Sequence, residues 1–289
     1  MPKNTLVVPT DFSAPAALGV EYAARLAQAM SGTLVLTHVT ESGNFWKFGV
    51  GNDALAEARQ KAEEKLREEA HRISQAFGVH VQTELGQGKV YAEVARVARE
   101  KNAAFIIMGT NGEDTLAQRF IGSNTYRVIR EIEIPVISVQ DKLPETTCRR
   151  LALPLDLTKE TRQKVSFAIE MAQIFKSEIK VVSVVEMHDE FVLNSLRRQM
   201  DQVCEVLAEN NIPHTAEFLE KDGTIAHSVL EYCYTQGVDM LIIMTQQELK
   251  ITEFFVGSSA QEIINNARIP VMSITPKDVE IHSGGILGT

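Results

Sequence analysis

Short runs of Val, Ile and Leu alternate along the chain with longer segments in which apolar residues return every three or four positions. The runs at 4–9, 33–39, 104–108 and 134–139 are nearly continuous, as parallel strands buried on both faces are. Half-exposed antiparallel strands would instead alternate apolar with polar. Residues 53–77 place Leu55, Ala62, Leu66, Ala70, Ile73 and Phe77 at helical spacing, with Glu, Lys and Arg between and Gly78 as the stop. Residues 189–209 repeat the design with Phe191, Leu196, Met200, Val203 and Leu207. Strands alternating with helices imply right-handed βαβ units and a doubly wound sheet.

The pattern occurs twice. Leu6-Val-Val-Pro9-Thr-Asp11-Phe-Ser13 returns as Leu151-Ala-Leu-Pro154-Leu-Asp156-Leu-Thr158, each ending in a hydroxyl residue suited to cap a helix. In the same order, Leu34–Val39 pairs with Ile179–Val184, Phe105-Ile-Ile-Met108 with Leu241-Ile-Ile-Met244, Gly122-Ser123 with Gly257-Ser258, and Ile134–Val139 with Ile269–Ile274. The chain reads as a tandem duplication of a five-stranded parallel α/β domain of Rossmann-like type, with domains at 1–142 and 149–276 and a tail at 277–289. Residues 141–147 are polar, contain Pro144 and lack periodicity, so they read as the linker.

Ligands of such sheets bind beyond the carboxyl ends of the strands. After Phe105-Ile-Ile-Met108 comes Gly109-Thr-Asn-Gly112, then nine residues, then Gly122-Ser123-Asn124-Thr125 opening a helix. Glycines let a backbone approach a ligand, and a Gly-Ser helix start presents amides at the positive end of the helix dipole. Together they make an anion cradle suited to phosphates. Read locally, Gly109 and Gly112 also suit a plain strand-to-helix turn, and Asp11 also suits a helix cap.

The Gly-x2-Gly-x9-Gly-Ser pattern resembles the nucleotide loop of the ATP-binding universal stress proteins. Pro9-Thr10-Asp11, His38-Val39, the segment 88–94 and the closing Ile-Pro-Val strand extend the resemblance over nearly the whole chain. It implies ATP or ADP with Mg²⁺ carried on the phosphates and no metal held by protein side chains. By position, Pro9, Thr10 and Asp11 are expected on the adenine and ribose side, the Val39 backbone at the adenine, and Met108 beneath the nucleotide. Gly109, Gly112, Gly122, Ser123, Asn124 and Thr125 are expected to hold ribose and phosphates. Such domains commonly dimerise through their last strands, so 134–139 and 269–274 are expected to pair antiparallel within the chain as a pseudo-dimer; a further homodimer is left open.

The second copy lacks both leading glycines. Aligned on the shared Ile-Ile-Met, its span to Gly257 is one residue shorter, and Glu248 stands where the second glycine would be. Residues 1–144 carry 16 basic and 17 acidic groups, and 145–289 carry 13 and 21, giving net charges of −1 and −8. One nucleotide per chain, in the first half, is the expectation. The departure from the family pattern is Glu113-Asp114, two carboxylates directly after Gly112.

Composition trims the alternatives. The chain of 289 residues has a net charge of −9, which argues against nucleic acid or an anionic membrane as partner. The opening MPKNTLVVPTDFS is polar too soon for a secretory signal, and three cysteines without metal spacing suit a reducing cytoplasm. There is no Gly-x4-Gly-Lys-[Ser/Thr], and no lysine between 109 and 125, so rapid phosphoryl transfer is not expected. Three readings remain: a nucleotide-binding stress-response or regulatory module acting on a protein partner, at most a slow ATPase; an interaction protein with a vestigial cradle; and an adenylyl-transfer enzyme.

Overall fold

The computed structural model describes residues 4–40, 52–110, 123–140, 143–156, 161–185, 190–245 and 258–276. The first half contains strands β1 (Thr5–Pro9), β2 (Thr33–Thr40), β3 (His80–Gln87), β4 (Phe105–Gly109) and β5 (Val136–Val139). Its helices are α1 (Ala14–Ala29), α2 (Asn52–Phe77), α3 (Val90–Glu100) and α4 (Ser123–Glu131). The second half repeats them as β6 (Arg150–Pro154), β7 (Glu178–Val185), β8 (His214–Glu220), β9 (Met240–Met244) and β10 (Val271–Ile274), with α5 (Thr161–Phe175), α6 (Glu190–Glu209), α7 (Ile225–Thr235) and α8 (Ser258–Asn266).

The ten strands form one sheet in the order β3-β2-β1-β4-β5-β10-β9-β6-β7-β8. Pairing is parallel within each half and antiparallel at the seam, where Met272 lies opposite Ile137. The expected pairing of the last strands is what the structure shows. Side chains cross the seam reciprocally: the Gln140 amide donates to the Ile264 carbonyl, and the Thr275 hydroxyl donates to the Ile129 carbonyl at 3.2 Å. Gln140 and Thr275 are counterparts in the repeat, as are Ile129 and Ile264, which is the signature of an isologous contact. Because the seam is antiparallel, the carboxyl ends of the two sets of strands open in opposite directions.

Two apolar cores lie on the two faces of the sheet, and each runs through both halves. One gathers Leu26, Leu66, Ile73, Met171 and Leu207 from α1, α2, α5 and α6. The other gathers Val94, Val128, Val229 and Ile264 from α3, α4, α7 and α8. Helix α2 buries Ala62, Leu66, Ala70 and Ile73 and stops at Gly78, whose φ of +66° favours glycine. Helix α6 buries Leu196, Met200, Val203 and Leu207, but Phe191 is 78% exposed rather than part of that stripe. Five residues separate Phe191 from Leu196, a rotation of about 140° away from the buried face.

The linker is docked onto both halves. Arg25 donates to the Pro144 carbonyl at 3.1 Å, and the Tyr22 hydroxyl lies 3.5 Å from Cys148 Sγ. The buried Asp239 carboxylate accepts from the Thr146 hydroxyl and the Arg150 amide, both at 2.8 Å.

Burial pushes the Cys148 and Cys233 thiols up to about 12 from 9.0. Both therefore stay protonated in the fold at a pH where the unfolded chain has begun to ionise. Stability is fully present below about pH 9 and falls as pH rises towards 12, by up to about 1.4 kcal/mol per pH unit for each thiol. Urea midpoints measured between about pH 8 and pH 10.5 should drop, and less steeply in Cys233→Ala; equal slopes would refute this. At about pH 8, iodoacetamide should modify the half-buried Cys204 before the other two.

Candidate functional site

In the first half the strand order reverses between β1 and β4, which places a crevice beyond their carboxyl ends. Pro9 ends β1, and the next residue, Thr10, is buried and fully engaged. Its amide donates to the Thr37 carbonyl at 2.8 Å, its hydroxyl accepts from the Phe12 amide at 3.0 Å, and its carbonyl lies 2.7 Å from His38 Nδ1. A carbonyl only accepts, so Nδ1 carries the proton.

Phe12 turns the chain with a φ of 65° and stacks on the His38 ring, 4.8 Å between centroids. The sequence did not mark Phe12, which is 36% exposed at the crevice. Asp11 is exposed and accepts from the Ser13 amide at 3.0 Å, while Ser13 caps α1 by accepting from the Ala16 amide at 3.3 Å. The cap is Ser13, and Asp11 shapes the turn that leads to it.

Val39 is half-buried on β2, opposite Gly86 of β3. Met108 is buried against the core beneath α3 and α4. Ser123 opens α4, with Asn124 half-buried and Thr125 buried behind it. Gly112, Gly122, Glu113 and Asp114 lie outside the described residues. Arg127 is exposed, its guanidinium 5.4 Å from the Tyr91 ring centroid.

Gly109 has a packing reason of its own. A Cβ added there would stand 2.0 Å from the Pro15 carbonyl oxygen, and one added to Gly19 would stand 2.6 Å from the Gly109 amide nitrogen. The α1 backbone rests directly on the end of β4, so the missing side chain at 109 serves the helix contact.

Strand registers place the two copies differently from the shared Ile-Ile-Met. Leu6 pairs with Phe105 and Leu151 with Met240, while Ile106 pairs with Val136 and Leu241 with Val271. Phe105 therefore corresponds to Met240, and Gly109 to Met244. The next residues agree: the Thr110 and Thr245 amides donate to the Val139 and Ile274 carbonyls at 2.8 and 3.0 Å. This corrects the alignment by one residue. The spans from Gly109 to Gly122 and from Met244 to Gly257 are equal, Gln247 matches Gly112, and Glu248 matches Glu113. A glutamate thus follows the second loop position in both copies, so Glu248 does not set the second copy apart.

In the second half Pro154, Asp156, Val184, Ile243, Met244 and Ser259 line one cavity. They are the counterparts of Pro9, Asp11, Val39, Met108, Gly109 and Asn124. The second-half counterparts of these six positions thus converge on one crevice.

The model of the universal stress protein family matches residues 3–140 and again 147–274. The chain belongs to the universal stress protein family. Universal stress protein MJ0531 of Methanocaldococcus jannaschii is 27% identical over 143 residues, 47% of this chain and 81% of that protein. Universal stress protein MJ0577 of the same organism is 26% identical over 153 residues, 47% of this chain and 94% of its own length. A universal stress protein from Archaeoglobus fulgidus shares the whole two-domain fold, with a TM-score of 0.79 at 19% identity over 95% of this chain and 99% of that one. Another Archaeoglobus fulgidus universal stress protein, solved in complex with dAMP, matches 46% of this chain and 98% of its own with a TM-score of 0.37 at 13% identity. Both universal stress domains here are α/β, and among the described residues no helix is long and apolar enough to cross a membrane.

Proposed function

We propose that the first universal stress domain binds ATP or ADP with Mg²⁺, and that the protein is a cytoplasmic, nucleotide-dependent stress-response module acting on a protein partner. The observation that carries this reading is the placement of Thr10, Asp11, Val39 and the start of α4 around the β1/β4 crevice, on a chain whose loop keeps the Gly-x2-Gly-x9-Gly-Ser spacing. The exposed Asp11 carboxylate suits ribose hydroxyls, and the first-turn amides of α4, which have no partner within the helix, suit phosphate oxygens. Mg²⁺ would be carried by the phosphates and would neutralise their charge.

The described residues at the crevice favour holding over hydrolysis. His38 is committed to the Thr10 carbonyl and Phe12, and Arg127 faces Tyr91. The loop sequence offers no lysine for the γ-phosphate.

Mass spectrometry of nucleotide released from freshly purified protein tests the proposal. Wild type should carry close to one ATP or ADP per chain, and Gly122→Asp, which sets a carboxylate at the positive end of α4, less than about a tenth of that. A wild-type protein that is empty and takes up no added ATP with Mg²⁺ would leave the interaction-protein reading.

A further inference from the structure

We propose that a groove between the two domains is a docking site for a short basic segment of a partner protein. The groove lies at the amino ends of β4 and β5, the opposite end of those strands from the nucleotide crevice. Arg99, Ala104, Glu131 and Glu133 of the first domain line it, and Phe167 and Glu170 of α5 close it from the second.

The repeat shows what such a groove holds. The pairs Thr5–Thr33 and Arg150–Glu178 bracket α1 and α5 identically, so Gly19, Tyr22 and Arg25 correspond to Lys164, Phe167 and Glu170. Phe105 corresponds to Met240, and hence Ala104 to Asp239. Three of these counterparts hold the linker. Arg25 donates to the Pro144 carbonyl, the Tyr22 hydroxyl lies against Cys148 Sγ, and Asp239 accepts from the Thr146 hydroxyl. The frame is reproduced as well: Arg99 donates to the Glu131 carbonyl at 2.7 Å, where Tyr234 donates to the Asn266 carbonyl at 3.2 Å. The fold therefore seats a non-helical peptide segment at one of two equivalent places. One chain makes one linker, so the linker covers one groove of the pair. Tyr22 beneath it has no exposed surface, whereas Phe167 is only half-buried.

Charge decides what the second groove would take. Glu170 stands where the linker side has Arg25, Glu131 and Glu133 stand where it has Asn266 and Arg268, and Ala104 replaces Asp239. Among the described residues, the carboxylates of Glu131, Glu133 and Glu170 have no hydrogen-bond or ion-pair partner. An acidic face alone is commonly just solvated, but these acids surround a groove whose twin holds peptide. The complementary segment carries Lys or Arg for the carboxylates and an apolar residue for the Phe167 ring. The volume of about 660 Å³ corresponds to about 22 water-sized groups at about 30 Å³ each, or two to three residues of Lys or Leu size.

Calorimetry on the full chain with an acetylated Lys-Leu-Pro-Lys-Thr-Lys amide tests this. The peptide is the linker sequence 142–147 with lysine in place of Glu145 and Thr147. It should saturate one site per chain with a Kd of about 0.1 mM or tighter, weakening in about 0.5 M salt. A twin with glutamate for every lysine should bind at least about tenfold more weakly. So should the basic peptide to the triple variant Glu131→Gln, Glu133→Gln, Glu170→Arg, whose three sites are exposed and whose urea midpoint should match wild type. Gly122→Asp should bind the peptide as wild type does, which separates this outcome from the nucleotide proposal. Equal binding of the twin, unchanged binding in the triple variant, loss in Gly122→Asp, or no saturation overturns the proposal. Binding at least about tenfold tighter to a chain ending at residue 276 would make residues 277–289 the occupant, and a dimer that the peptide dissociates would make it a second copy. Either result overturns the assignment to a partner protein.

Discussion

Replacing Gly109 by methionine should destabilise the protein by about 3 kcal/mol or more, at the upper end of what overpacking costs. The first atom of the new side chain would fall 2.0 Å from the Pro15 carbonyl oxygen and 2.9 Å from Ala16 Cα. Both obstacles are backbone at the first turn of α1, so no rotamer change relieves them. Either α1 lifts from β4 or the end of β4 moves, and each exposes core residues such as Val20 and Ala23, both fully buried. The second domain shows why the effect is local rather than a rule of the fold: it carries methionine at the same place, together with Lys164 where α1 has Gly19. Urea denaturation is the test, and a midpoint for Gly109→Met within error of wild type would remove the packing explanation of this glycine. Loss of nucleotide in the same variant would not distinguish packing from binding, which is why Gly122 is the better probe of the crevice.

Met272→Lys should have an effect of at least about 4 kcal/mol, because an ammonium without a partner cannot be buried cheaply. Met272 has no exposed surface, and it pairs across the seam with Ile137, which has none either. The two cores run through both halves, so the intact chain should unfold in one transition that includes both domains. Breaking the seam should do more than lower the midpoint. It should split the transition in two, as each half then keeps only its own portion of core. A wild-type chain that already unfolds in two steps, or a variant that unfolds in one step at the wild-type midpoint, would show that the seam contributes little.

Much of this architecture is written in the chain. The Leu-Val-Val-Pro and Ile-Pro-Val runs gave the paired strands, and the duplicated last strand gave the seam, because an edge of that composition must be covered. The one-residue error between β4 and β9 has a physical origin. Ile-Ile-Met occurs in both copies, and every residue near it is apolar because both faces of the strand are buried, so pattern alone cannot fix which side chain faces which layer. Hydrogen-bonded neighbours fix it: the side chain of Met244 lies on the α5 and α6 side, where a Cβ on Gly109 would meet α1.

The crevice was legible only in part. The glycine spacing stands out in the sequence, and the convergence of strand ends follows from fold type. The Phe12–His38 stack depends on a positive φ that nothing in the local sequence announces. The burial of Lys164 was missed for a different reason. A lone lysine in a helical segment reads as solvated, and only the comparison with Gly19 reveals it as a charge set where the other copy has none.

Joining the two domains in one polypeptide has a consequence that an assembly of identical subunits lacks. In a homodimer, any change at position 19 appears at both crevices, so gaining a lysine at one means losing the glycine contact at the other. A single reading frame lifts that constraint, and each crevice can drift under its own selection while the shared seam keeps the fold. The covalent link also fixes stoichiometry: every molecule carries one crevice of each kind, facing opposite ways, at any dilution.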